Sequence, residues 1–225
     1  LSFALVVGLF AWRAGAPVAG WAPIAAITIA WSLRLGGYLI ARGAARAPED
    51  GRYADLRARW GAGAAPRFFV LFQAQAALTG LLSTAFVVPF LAQPWDSGWL
   101  RALGAAISVA GIAGETTADA QLARWKRAHP GAVCDAGLWR WSRHPNYFFE
   151  WCVWLGHAVY GLAFWPYGAI ALFPQALLLC SILFVTGIPP TEKQSIASRG
   201  DAYRAYQARV SKFVPWPPKR TAGDV

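Results

Sequence analysis

The sequence contains no methionine and few charged residues. Charged side chains make up 14% of the chain, with 11 acidic against 21 basic residues, while hydrophobic residues reach 56%. The apolar residues form long blocks instead of short alternating strands, which is the pattern of helices in a bilayer. We therefore predict an all-α integral membrane protein. Because the chain opens inside an apolar run and lacks methionine, we also expect its N-terminus to be truncated.

Cysteine and histidine are also scarce, and their spacing excludes several kinds of site. Cys134, Cys152 and Cys180 show no CxxC spacing and the three histidines show no ligand spacing, so neither a metal site nor a disulfide framework is indicated. Glycine-rich dinucleotide and Walker patterns are absent, so membrane helices and loops would have to hold any nucleotide. The net charge of +10 does not indicate nucleic-acid binding, because the basic residues lie in short segments between apolar blocks.

Six apolar blocks predict six transmembrane helices, the first of them partial, in a single membrane domain over residues 1–225. A spanning helix needs about 20 residues, and the five complete blocks are near that length. The blocks cover residues 1–12, 18–41, 68–92, 98–118, 147–164 and 168–188.

The basic residues predict the orientation of these helices. Of the 21 basic residues, 18 lie in segments 42–67, 124–143 and 193–220. Six helices place all three segments on one side, and the positive-inside rule makes that side cytoplasmic. We therefore predict cytoplasmic loops at about residues 42–67, 120–146 and 189–225.

Two pairs of polar residues recur at a helical spacing. Glu115 and Asp119 are four residues apart, as are Asn146 and Glu150, so each pair lies on one helix face. Both pairs enter the membrane from the same side, and we expect them to face one cleft. The alternative for the acidic pair is a helix end that snorkels and pairs its charges with nearby basic residues such as Lys126.

Three further polar residues indicate a site near this cleft. Arg143 and His144 precede a predicted helix whose N-terminal amides favour an anion. Arg34 lies within an apolar block, where an arginine usually has a partner or lines a wet cavity. The alternatives are positive-inside charge for Arg143, a capping histidine at His144 and snorkelling for Arg34.

The segment from Gly137 to Tyr147, with Glu115-x3-Asp119 before it and the tail from Tyr203 to Pro215 after it, resembles the steroid 5-alpha-reductase superfamily. The similarity extends over about residues 31–218 and is greatest to a bacterial branch of that superfamily described as a domain of unknown function. It implies about seven helices in the full protein, which would lie in the bacterial inner membrane with a site open to the cytoplasm.

The resemblance also implies an activity, which is NADPH-dependent reduction of a carbon–carbon double bond conjugated to a ketone. The hydrophobic, steroid- or lipid-like substrate and membrane lipids would then be the partners, with no nucleic acid and no obligate protein partner. In the family an Asn and an Asp contact the cofactor where this chain has Glu115 and Asp119. A second Asn and Glu are matched by Asn146 and Glu150.

The remaining predicted site residues follow from the same comparison and from their charge. Tyr53 is a candidate proton donor and, with Glu150, a candidate catalytic residue. The family tyrosine that grips the steroid ketone falls near Trp31, which is a departure from the pattern. The other predicted cofactor-binding residues are basic or hydrogen-bonding side chains: Arg34, Arg52, Lys126, Arg143, His144 and Tyr206.

Two other functions stay open at this point. The related isoprenylcysteine carboxyl methyltransferases share the Arg-His-Pro motif and use S-adenosylmethionine, but they tend to carry paired glutamates where this chain has Glu192 followed by Lys193. In a non-catalytic lipid-binding protein, the polar pairs would instead join helices to one another. Substitution of Asn146 separates a site from a structural role.

Overall fold

The computed structural model describes residues 2–41, 51–95 and 98–219, and these residues form helices with no strand. The all-α prediction is therefore confirmed for this part of the chain. The helices are α1 (Ser2–Arg13), α2 (Val18–Ala41), α3 (Gly51–Trp60), α4 (Ala64–Leu91), α5 (Trp99–Ala128), α6 (Pro145–Leu162), α7 (Leu172–Cys180) and α8 (Ile188–Arg209). Short 3-10 turns cover Gly61–Gly63, Gly137–Arg140 and Tyr167–Ala171, and a π turn covers Ser181–Val185.

Three helical stretches are long and apolar enough to cross a membrane, which is compatible with a membrane protein. They are Val18–Tyr38, Leu56–Leu91 and Tyr167–Arg209, and α1 is a shorter apolar helix. The other two predicted spans correspond to α5 and α6, which carry most of the polar side chains described below. The count of six spans stays a prediction.

The predicted cytoplasmic loops contain more helix than the hydropathy pattern indicates. Helix α5 continues ten residues past the predicted end at residue 118, to Ala128, and its 30 residues are about 45 Å long. Residues 120–127 are mostly good helix formers, and the helix ends just before Pro130 and Gly131, which has φ +80°. Likewise α3 lies in the first predicted loop and α8 fills much of the third.

Helices α5 and α6 form a tightly packed antiparallel pair. A Cβ atom on Gly104 would lie 2.5 Å from the Tyr160 amide nitrogen, and one on Gly111 would lie 2.8 Å from the Phe149 carbonyl oxygen. Neither distance leaves room for a side chain. Small residues let helix backbones approach closely in membranes, and here they bring the polar faces of α5 and α6 together.

Candidate functional site

Arg34 of α2 reaches across to two acidic side chains of α5. Its Nη2 atom pairs with Glu115 Oε1, and its Nη1 atom lies 3.3 Å from Asp119 Oδ2. The side chains are only 17%, 5% and 9% exposed, in that order. Charges this deeply buried are costly unless they are paired. The structure thus gives Arg34 the partner that its depth in an apolar block led us to expect.

Helix α6 adds a third carboxylate to this group. Glu150 lies close enough to Arg34 and Asp119, and also to Glu115, for their charges to interact. Asn146 lies one turn before Glu150 on the same face of α6, and its side chain forms no hydrogen bond within the described part of the chain. The structure therefore brings the two predicted polar pairs to one place. We call Arg34, Glu115, Asp119 and Glu150 the charged cluster.

Two atoms of the charged cluster have unused hydrogen-bonding capacity. Arg34 Nε and Glu115 Oε2 are both buried and have no hydrogen-bond partner among the described residues. Buried polar atoms in native proteins are nearly always satisfied, so an unsatisfied donor and an unsatisfied acceptor in one cluster mark a place where a polar ligand can bind.

A second polar group, which the sequence reasoning missed, lies deeper in the bundle. His157 Nε2 is 2.8 Å from Thr28 Oγ1, and His157 Nδ1 is 2.7 Å from the Val153 carbonyl and 3.4 Å from Ser108 Oγ. All three side chains are buried. Their spacing was an available signal, because Ser108 and His157 each lie seven residues from an acid of the charged cluster. We call Thr28, Ser108 and His157 the histidine cluster.

Aromatic side chains occupy the level between these two clusters. Trp31 and Trp154 meet edge to face with their ring centres 5.8 Å apart, and Phe3 contacts both rings. Phe86 packs on Trp154 and on His157. The indole N–H groups of Trp31 and Trp154 are buried and have no partner within the residues that the structure describes. We call Phe3, Trp31, Phe86 and Trp154 the aromatic cluster.

Arg143 and His144 pair with an acid of α8 instead of facing outward. Arg143 Nε donates to Glu192 Oε1 at 2.7 Å, and His144 Nε2 lies 3.2 Å from the same oxygen. Gln207 donates to the other Glu192 oxygen at 2.8 Å. Burial lowers the pKa of His144, while its hydrogen bond to the Glu192 carboxylate opposes that shift. Both residues thus join the loop before α6 to α8, and their role in cofactor binding stays a prediction.

Tyr206 belongs to the same connection. Its hydroxyl donates to the Trp139 carbonyl at 2.5 Å, and the side chain is buried. Further along, Ser142 Oγ donates to the Phe213 carbonyl at 2.7 Å and the Arg143 amide donates to the Ser211 carbonyl at 2.8 Å. The motif that carries the family resemblance is therefore held against the C-terminal segment. This geometry gives Tyr206 a structural task beside the predicted cofactor contact.

The structure does not bring every predicted residue to the charged cluster. The Tyr53 ring packs against Phe68 and Phe72 of α4, with ring centres 6.1 and 6.0 Å away, and no described contact joins it to Glu115 or Glu150. The Arg52 side chain lies outside the described residues. Catalysis by Tyr53 therefore stays a prediction without structural support.

Lys126 lies in the last turn of α5, about two turns beyond Asp119. On this end of the helix a cavity of about 300 Å³ is lined by residues that include Arg124, Trp125 and His129. The Trp125 and His129 rings stack with their centres 4.2 Å apart. The basic C-terminal end of α5 thus lies about two turns from the charged cluster, beside this cavity.

Comparison with known proteins places the chain in a family. It matches the model described as "Protein of unknown function (DUF1295)" over residues 1–210. The chain belongs to this family. The chain is also similar to an uncharacterized protein of Schizosaccharomyces pombe, with 37% identity over 87 residues that make up 35% of this chain and 22% of that protein. The match thus spans about a fifth of the curated relative's length. No solved structure matches this DUF1295 chain at a significant level.

Proposed function

We propose that this DUF1295 chain is a membrane-embedded, NADPH-dependent oxidoreductase. It reduces an activated carbon–carbon double bond of the enone type in a hydrophobic, steroid- or lipid-like substrate. One observation carries the proposal: Arg34, Glu115, Asp119 and Glu150 converge from three helices, with a buried donor and a buried acceptor left unsatisfied. The resemblance to the steroid 5-alpha-reductase superfamily supports the reaction type.

The residues of the charged cluster fit the polar part of a dinucleotide. The free Glu115 Oε2 can accept a hydrogen bond from a ribose hydroxyl or an amide, and the free Arg34 Nε can donate one. The Asn146 amide can do both. Lys126, at the cytoplasmic end of α5, suits the phosphates. When bound, NADPH would supply the hydride.

The aromatic cluster fits a hydrophobic substrate with a carbonyl group. Its rings offer an apolar surface, and the N–H groups of Trp31 and Trp154 are buried donors with no partner among residues 2–41, 51–95 and 98–219. Such donors can stabilise the negative charge that develops on a carbonyl oxygen during reduction of an enone. Trp31 would then replace, with an indole N–H, the tyrosine hydroxyl that the family pattern places there.

Glu150 is the residue that we propose to hold and deliver the proton. It lies one turn from Trp154 on the same face of α6, so its carboxyl group borders both the charged and the aromatic cluster. No ion pair or hydrogen bond within the described residues occupies it. A carboxyl group in that position can protonate the alpha carbon of the substrate after the hydride has reached the beta carbon.

The proposal includes the orientation in the membrane. The proposal has six spans: the three long apolar stretches, α5, α6 and the partial α1. With six spans, the basic segments and the open end of the charged cluster lie on one side. The positive-inside rule makes that side the cytoplasm, where NADPH is available. For a bacterial chain this membrane is the inner membrane.

The test is thermal stability of the detergent-purified protein with NADPH, NADH and S-adenosylmethionine in turn. A ligand that binds only the folded state raises its stability, by about 2.7 kcal/mol at a hundred times Kd. We expect a shift with NADPH that is lost in Asn146→Ala and kept in Thr117→Ala, whose side chain is exposed on α5. A shift with S-adenosylmethionine instead would support methyl transfer, and no shift with any of the three would support a non-catalytic protein.

A further inference from the structure

The charged and histidine clusters are built by the same three helices at nearly the same spacing. Ser108 and Glu115 are seven residues apart on α5, and Glu150 and His157 are seven apart on α6. On α2, Thr28 and Arg34 are six residues apart. At a rise of about 1.5 Å per residue, the two clusters are separated by roughly 9–10 Å along each helix. Helix α2 joins the two clusters, so if it shifts along its axis at the histidine cluster, Arg34 shifts by about the same amount.

The hydrogen bonds around His157 define how α2 is held. The 2.7 Å contact from Nδ1 to the Val153 carbonyl requires a proton on Nδ1, because two acceptors would repel each other at that distance. In the neutral ring Nε2 is then an acceptor, and the single Thr28 hydroxyl proton is shared between Nε2 at 2.8 Å and the Ile24 carbonyl of the same helix at 2.7 Å. This hydrogen bond joins α6 to α2, so it fixes the position of one helix along the axis of the other.

The contact between Thr28 and His157 is buried, and close packing around it restricts movement of the imidazole ring. Thr28, Ser108 and His157 are between 0% and 2% exposed, and the Phe86 ring covers the imidazole edge to face at 4.9 Å. A Cβ on Gly156 would collide with Ser108 Oγ, so a glycine there lets α5 and α6 meet beside the histidine. A hydrogen bond in such a low-dielectric site is stronger than one in water.

Helix α2 has another polar attachment near its opposite end. The Tyr160 hydroxyl of α6 donates to the Gly20 carbonyl at 2.7 Å. Gly20 is 14 residues before Arg34, whereas Thr28 is six residues before it. The Thr28 contact is therefore the nearer of the two to the charged cluster, and Tyr160 provides a matched control for losing one hydrogen bond between α2 and α6.

We propose that His157 is a positioning residue, which through Thr28 sets the register of α2 against α5 and α6 and so places the Arg34 guanidinium against Glu115 and Asp119. The effect on cofactor binding rests on the proposed function, whereas the effect on the Arg34 ion pair does not. His157 itself touches neither the cofactor nor the reacting atoms.

The first experiment needs no ligand. The coupling between Arg34 and Glu115 is measured as a double-mutant cycle on thermal stability, with Arg34→Gln, Glu115→Gln and their combination. The cycle is repeated in Thr28→Val, in Thr28→Ser and in Tyr160→Phe. We expect the coupling to fall by at least about half in Thr28→Val and to be retained in Thr28→Ser and Tyr160→Phe. If an Arg34 or Glu115 variant does not fold, Arg34→Lys and Asp119→Asn replace them.

An undiminished coupling in Thr28→Val would overturn the proposal. An equal loss in Tyr160→Phe would also overturn it, because any bond between α2 and α6 would then do the same. His157→Phe, which removes both ring nitrogens, should reproduce the loss seen in Thr28→Val.

The second experiment measures NADPH affinity and distinguishes this inference from the proposed function. Thr28→Val should raise the Kd for NADPH roughly three- to tenfold, the range for one hydrogen bond between membrane helices. In an Arg34→Lys background, Thr28→Val should raise the Kd for NADPH little further. Equal and independent losses in both backgrounds would contradict positioning through Arg34. If the unaltered protein does not bind NADPH while the stability coupling still falls in Thr28→Val, the proposed function fails and the positioning role stands.

Discussion

The glycine contact between α5 and α6 gives a prediction whose size follows from distances. In Gly104→Ala the new methyl group would lie 2.5 Å from the Tyr160 nitrogen and 2.6 Å from the Gly156 carbonyl oxygen. Ordinary contact begins near 3.4 Å, so the two backbones would have to separate by close to 1 Å. Both nearest atoms belong to backbone, which cannot rotate away. Overpacking of this kind costs typically about 1–3 kcal/mol, and we expect a loss of stability of that order.

Gly80→Ala provides the control, because a Cβ on Gly80 of α4 would meet nothing within 4 Å. Alanine is favoured over glycine inside a helix by roughly 1 kcal/mol, so this variant should be neutral or more stable. The assay is unfolding of the purified protein in detergent, followed by tryptophan fluorescence. A Gly104→Ala protein as stable as Gly80→Ala would refute the close approach of α5 to α6.

Two further predictions concern buried ionisable groups. Burial lowers the pKa of His144, so the folded state favours the neutral ring. The stability that neutral His144 contributes is therefore fully present above the unfolded pKa of about 6.5, and it is lost as pH falls through the lower pKa of the folded state. In His144→Gln the free energy of unfolding should depend less on pH between pH 7 and 5. Removing the cation in Arg34→Gln leaves the buried Glu115 carboxylate without its ion-pair partner and should cost about 3–5 kcal/mol. Adding Glu115→Gln to Arg34→Gln should recover part of the lost stability, measured by thermal unfolding. If the losses of the two single variants simply add in the double variant, the ion pair is contradicted.

The helices could be predicted from the sequence more readily than their ends. Long apolar blocks marked α2, α4 and the helices after residue 167, because a bilayer requires such lengths. The predicted apolar span ended near residue 118 because a hydropathy boundary follows the first charges at Glu115, whereas the helix itself continues to Ala128, just before the breaker Pro130. The two criteria diverge wherever a spanning helix extends into water.

The charged cluster was predictable only in part. The spacing of Glu115 and Asp119 placed them on one face, but the partner of Arg34 depends on how α2 packs against α5, which local sequence does not encode. For the same reason Arg143 looked available for an anion, although Glu192, 49 residues later, pairs with it. His157 was passed over because its seven-residue spacing from Glu150 has a meaning only once Thr28 and Ser108 are known to lie beside it.

The contacts between the loop before α6 and residues 207–213 can form only after those residues have been synthesised. Synthesis proceeds from the N-terminus, and early segments fold before late ones emerge. The acceptors for Ser142 and Arg143 are carbonyl groups between Gln207 and Phe213, which are synthesised after α6 and α7. The ribosome therefore completes α6 before the loop that precedes it can form any of these contacts.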